Sequence, residues 1–144
     1  MFPLKIVAFD EDGPIIHEVI KNWDEWLSNN CCWNYALHGR EGFGNEDGYD
    51  IKVATRELLA RPEKKKMLVI LSDGAPGSRS LVKQAVKDAR KKGIEVYSIY
   101  FEEGEVDSYA ESVMQEMYEH DYVVCPLTEL DEHLYKLFKK FSRK

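Results

Sequence analysis

"MLVILSDGAPGS", residues 67–78, is the stretch on which the fold turns. Its five leading residues, Met67 to Leu71, are apolar without a break and run straight into Ser72-Asp73-Gly74. Unbroken apolar character over that length is expected of a parallel strand buried on both faces, not of an amphipathic surface strand. In open α/β sheets ligands bind beyond the carboxyl ends of the strands. Asp73 is therefore placed to meet a ligand. Asp-Gly is also a common turn pair and Pro76 continues the loop, so the same residues fit a plain strand-to-helix turn.

Downstream, the pattern is helix, strand, helix, strand, helix. Ser78 or Ser80 can cap a helix whose inner face is Leu81, Val82, Ala85, Val86 and Ala89 and which ends at Lys91-Lys92-Gly93. Ile94 to Phe101 reads as the next strand, Tyr109, Ala110, Val113, Met114 and Met117 as a helical face, and Tyr122 to Cys125 as a short strand. Thr128 and Asp131 can open a last helix as a capping box, with Leu130, Leu134, Leu137, Phe138 and Phe141 inward. Lys139, Lys140, Arg143 and Lys144 stand at its C-terminal end, where the helix dipole favours cations.

Upstream, Ile51, Ala54, Thr55 and Leu58 line a helix that Arg61-Pro62 stops. Nearer the start, Leu4 to Phe9 and Pro14 to Ile20 are short β-branched runs around Asp10-Glu11-Asp12-Gly13, which reads as a hairpin. Between that hairpin and the helix of Ile51 to Leu58 lies a long irregular connection carrying Trp23, Trp26 and Trp33, with room for a short helix. Tryptophans there fit either a closing lid on the core or an anchor for a partner. The expected architecture is an α/β, Rossmann-like three-layer αβα fold, with a mostly parallel sheet and one antiparallel edge strand. At 144 residues the chain is expected to form a single domain over 1–144.

Composition narrows the function. A net charge of -6 gives no electrostatic reason to hold a phosphate backbone, so no nucleic acid is expected as partner. No run approaches the roughly 20 apolar residues of a membrane span, and the first residues lack the features of a signal peptide, so no membrane is expected and a cytoplasmic location is. Cys31, Cys32 and Cys125 lack metal or redox spacing and read as thiols packed in the core. His17, His38, His120 and His133 are scattered, with no pair at ligand spacing.

The loop Asn45-x-Asp47-Gly48, the helix end Arg61-Pro62-Glu63 and the strand end Ser72 to Pro76 carry a resemblance. Together they resemble the von Willebrand factor type A domain, most of all the version at the C-terminal end of the cobaltochelatase T subunit. The resemblance implies a metal-ion-dependent adhesion site, in which Mg²⁺ or Mn²⁺ is held by oxygen donors and takes a further acidic ligand from a partner protein. By it, Asp73 and Asp47 are the metal-site residues, with Ser72, Gly74, Asn45 and Gly48 around them. It also implies a non-enzymatic interaction module, with no catalytic residues and an AAA-type ATPase as partner.

One element of the family pattern is absent: no Asp-x-Ser-x-Ser loop occurs in the sequence. The first strand and helix that carry it in the family have no counterpart, so metal binding is expected to be weak or absent. Loss of that strand leaves unpaired backbone on its neighbours. Direct closure of the sheet, a homodimer or a strand-swapped dimer would each satisfy those groups. The alternative is a Mg²⁺-dependent phosphatase of the haloacid-dehalogenase type, because "KIVAFDEDG" offers Asp10 as nucleophile and Asp12 as acid/base at the right spacing. Pro14 then departs from that motif, and Asp-x-Asp-Gly is also good hairpin chemistry.

Overall fold

The computed structural model describes residues 3–11, 15–24, 47–72 and 76–143. The chain divides into two compact units, Met1–Glu46 and Asp47–Lys144. The long connection with Trp26 and Trp33, and Cys31 and Cys32, lie outside the described residues.

The first unit holds the expected hairpin. Strands β1 (Ile6–Glu11) and β2 (Ile15–Lys21) pair antiparallel, with Val7 opposite Val19 and Asp10 opposite Ile16. They make a sheet of their own. At its open end the Lys21 ammonium donates to the carbonyls of Leu4 at 2.6 Å and Asn22 at 2.9 Å, tying the end of β2 to the approach to β1.

In the second unit, β3 (Lys66–Ser72), β4 (Ile94–Glu102) and β5 (Tyr122–Pro126) form a parallel sheet in that order. The helices are α1 (Asp47–Ala60), α2 (Arg79–Lys91), α3 (Ser108–Tyr118) and α4 (Leu130–Arg143). Side chains alternate across a strand, so Ile94, Val96 and Ser98 share one face of β4 and Tyr97 belongs to the other. On the first face the Ser98 hydroxyl meets Tyr118 at the end of α3. On the second, the Lys140 ammonium of α4 lies 5.4 Å from the Tyr97 ring centroid. Helices thus cover both faces of the sheet, as the sequence predicts.

The core follows the predicted periodicities. Val82, Ala85, Val86 and Ala89 of α2 and Ala110, Val113, Met114 and Met117 of α3 are all buried, and both helices pack on β4. Burial of each valine-sized side chain stabilises the fold by about 1.5–3 kcal/mol. Cys125 is buried on β5, as read from its sequence setting.

Local signals explain most boundaries. The Ser78 hydroxyl caps α2 by accepting from the Leu81 N–H, and Asp107 caps α3 by accepting from the Tyr109 N–H at 3.0 Å. Gly93, at φ 84°, takes the left-handed conformation that lets the chain turn from α2 into β4. The C-terminal helix differs from expectation. Thr128 falls inside a single 3₁₀ turn, Leu127–Glu129, whose start has no side-chain cap, and α4 begins at Leu130. The backbone there turns tightly out of Pro126, leaving the capping-box geometry unused. Its apolar residues Leu134, Leu137, Phe138 and Phe141 are half-buried, so the amphipathic face is real and only partly covered.

Candidate functional site

Geometry brings two of the predicted residues to one edge. Helix α1 has 14 residues and strand β3 has 7, giving lengths of about 21 Å and about 23 Å. The short link through Arg61 and Pro62 reverses the chain between them, so the start of α1 returns to the level of the carboxyl end of β3. On these lengths Asp47 falls near the level of Ser72, the last residue of β3.

A close contact fixes that placement. A Cβ on Gly48 would lie 2.9 Å from the Leu81 Cβ, 3.0 Å from the Leu81 carbonyl carbon and 3.2 Å from the Val82 nitrogen. No side chain fits between the first turns of α1 and α2. Gly48 thus has a packing reason to be glycine: it lets the two helix starts touch, which holds Asp47 beside the first turn of α2.

Asp47 is deeply enclosed, at 2% exposure, and Asp50, Thr55 and Ser72 are buried beside the apolar residues of the unit. Residues 47, 51, 55 and 58 fall on one helical face, so Asp47 extends the stripe formed by Ile51, Thr55 and Leu58 into the interior. Burying a carboxylate is costly without compensating charge or hydrogen bonds, and the N-terminal end of α1 supplies part of the compensation through its dipole. The Thr55 hydroxyl is buried without a hydrogen-bond partner among the described residues.

The electrostatic reach of Asp47 is visible at Tyr118, itself 1% exposed. Burial pushes the Tyr118 phenol well above its usual range, and the Asp47 carboxylate adds to the rise; the Ser98 hydroxyl and the Arg90 guanidinium act in the opposite direction. Ser98 in turn donates to the Ile70 carbonyl at 3.3 Å. A polar thread therefore runs from the backbone of β3, through Ser98 and Tyr118, toward Asp47. Neither Ser98 nor Tyr118 was among the residues expected from sequence. Tyr118 lies four residues after Met114, so the helical period that identified Met114 pointed to it as well.

The remaining predicted residues are distributed as follows. Asp73, Gly74, Asn45 and Asp12 lie outside the described residues. Asp10 lies within β1, opposite Ile16, and the chain returns directly as β2. His120 is exposed, and His133 of α4 stands 3.8 Å from Glu129 of the preceding 3₁₀ turn. Among the described residues, no three His, Cys, Asp or Glu side chains converge as a metal cage. The carboxylate of Asp47 and the hydroxyl of Ser72 are oxygen donors of the hard type that suits Mg²⁺, whereas Thr55, eight residues along α1, is about 12 Å from Asp47 by helical rise.

A parallel sheet covered on both faces, with a buried aspartate at its carboxyl edge, defines an α/β domain of the Rossmann-like class. Within that class the von Willebrand factor type A domain matches residues 40–133, and the chain belongs to this family. It is 33% identical over 108 residues to the uncharacterized protein YojO of Bacillus subtilis (strain 168), covering 69% of this chain and 17% of that protein. The chain thus spans less than a fifth of the length of that relative. Its fold is similar to the crystal structure of the conserved hypothetical protein BatB from Bacteroides thetaiotaomicron, with a TM-score of 0.64 at 16% identity, over 97% of this chain and 80% of BatB. Domains of this family typically mediate protein–protein interactions and are generally not enzymes. No helix among the described residues is long and apolar enough to cross a membrane.

Proposed function

We propose that this chain is a non-enzymatic protein-interaction module that engages its partner at the carboxyl edge of the parallel sheet. The observation that carries the reading is Asp47: a carboxylate near the level of Ser72, held beside the first turn of α2 by the contact of Gly48 with Leu81 and enclosed to 2% exposure. Asp47 and Asp73 would hold a divalent cation, Mg²⁺ or Mn²⁺, with Ser72 beside them as a hydroxyl donor and Asn45 and Gly74 shaping the two loops. The cation would supply an electrophilic position for an acidic side chain of the partner. Without an Asp-x-Ser-x-Ser loop the protein's own donors are few, and intrinsic affinity is weak. The likeness of the Asn45-x-Asp47-Gly48 and Ser72 to Pro76 segments to the cobaltochelatase T subunit supports an AAA-type ATPase as the partner.

Pairing of β3, which among the described residues pairs only with β4, with a second copy would add a homodimer to this picture. The phosphatase alternative gains nothing from the hairpin setting of Asp10, since β2 follows where that motif requires a strand leading toward a helix. Calorimetric titration of Mg²⁺ and Mn²⁺ into the metal-stripped protein tests the reading. Binding is expected to fall about tenfold or more in Asp73→Ala and Asp47→Asn and to be unchanged in Asp10→Ala. Equal binding by all four proteins would sink the metal-edge assignment.

A further inference from the structure

Strand β5 borders the sheet on the side away from β3, and among the described residues it pairs only with β4. The Ser98 N–H donates to the Asp121 carbonyl at 3.0 Å, and Ser98 stands opposite Tyr122. Backbone groups alternate in direction along a strand, so Val123 turns its N–H and C=O toward β4 while Tyr122 and Val124 turn theirs outward. Those outward groups border a cleft of about 390 Å³ between β5 and α3.

The helical wall of the cleft is acidic. Glu111, Gln115 and Glu119 line it at intervals of four residues, which sets them in one stripe along α3 and its exit. Glu119 has a left-handed backbone, φ 63°, and its carboxylate meets Arg90 at 3.4 Å with 68% of its side chain exposed. A pair so open to water leaves Glu119 available to a second cation. Glu111 acts on Tyr122 across the cleft, raising its phenol pKa alongside burial, which comes first. Among the described residues no lysine or arginine lines the cleft, and His120 is its one basic side chain.

We propose that this cleft is a second interaction surface, which takes an extended, basic segment of a partner protein as a fourth strand beside β5. Outward N–H and C=O groups supply the main-chain pairing of strand addition, and the acidic stripe supplies the choice of side chains. The spacing agrees. Glu111 and Glu119 are about 12 Å apart along the helix axis, and residues i and i+4 of an extended chain are about 13 Å apart on one face. The matching segment carries Lys or Arg at i and i+4. A second copy of this chain is disfavoured, because edge-to-edge pairing there would bring the Glu111–Glu119 stripe against itself. This surface uses neither Asp47 nor Asp73, so it stands or falls apart from the metal edge.

The test uses the full chain and an end-capped peptide, Thr-Lys-Val-Thr-Val-Lys-Thr, with hydrogen exchange at Tyr122 and Val124 as the structural readout. Binding with a Kd below about 1 mM and slowed exchange at those two amides are expected. Replacing both peptide lysines by glutamate, or its central threonine by proline, is expected to abolish binding. The double variant Glu111→Gln, Glu119→Gln is expected to weaken it about tenfold while leaving the thermal midpoint unchanged, because both groups are exposed. Absence of binding at millimolar peptide, equal binding of the glutamate peptide, or protection at other amides would overturn the proposal. So would slow exchange of Tyr122 and Val124 in the free protein.

Discussion

Tyr118 concentrates the electrostatics of the second unit in one side chain. Its phenol is buried, close to the Asp47 carboxylate, and its pKa is raised by both. A raised folded-state pKa means that, above the ordinary tyrosine value of about 10, the native protein keeps a proton that the unfolded chain has released. The stabilising effect is complete below pH 10 and is lost as pH climbs toward the folded value, at up to about 1.4 kcal/mol per pH unit. Tyr118→Phe should therefore flatten the decline of stability above pH 10, as read from urea midpoints at a series of pH values. At neutral pH it should cost about 1 kcal/mol for the lost contact with Ser98. An unchanged slope would mean that the tyrosine does not sense burial and Asp47 as described. Aspartates in Asp-Gly and Asn-x-Asp-Gly loops advertise themselves in sequence. A tyrosine in a helical stripe does not, because the period reports that it is buried and says nothing of the carboxylate it meets there.

Between elements, the decisive contact is that of α1 with α2. The atoms crowding a Cβ at Gly48 are the Leu81 Cβ and the backbone of Leu81 and Val82, none of which can rotate away. Gly48→Ala should therefore cost about 1–2 kcal/mol, overpacking outweighing the better helix propensity of alanine. Leu81→Ala should not relieve it, since the Cβ remains; the check is a double-mutant comparison of urea midpoints, and full rescue would contradict the contact geometry. Elements themselves were largely legible. Apolar residues at Val82, Ala85, Val86 and Ala89 announced α2, Ser78 its start and Gly93 its end, because periodicity and punctuation are local properties. Thr128 shows where local reading fails: a good capping residue goes unused when the preceding Pro126 sends the chain into a 3₁₀ turn. The function of Gly48 was hidden for the opposite reason. Next to Asp47 it looks like loop chemistry, and only the approach of a helix more than thirty residues later gives it a packing role.

At the scale of the whole molecule, the order of elements was readable but the division into two units was not. Alternation of strands and helices from Asp47 onward predicts a parallel sheet, whereas nothing in a strand's own pattern says which sheet it joins. Val19 and Ile20 would suit an edge strand of the parallel sheet as well as the separate hairpin they form. The energetics of the second unit are largely its own. All the buried apolar residues among the described ones, from Ile51 to Cys125, belong to Asp47–Lys144, as do α1 to α4 and the three parallel strands. A unit of that size can bury enough surface to fold, and its parallel strands are joined through helices α2 and α3, the connection that parallel pairing requires. Residues 47–144 produced alone should therefore unfold in one cooperative transition, with a midpoint in urea that still responds to Gly48→Ala and to Tyr118→Phe. Expanded, dye-binding behaviour with no cooperative transition would show instead that the core between α1, α2 and the sheet needs the preceding residues, and that the two units fold as one.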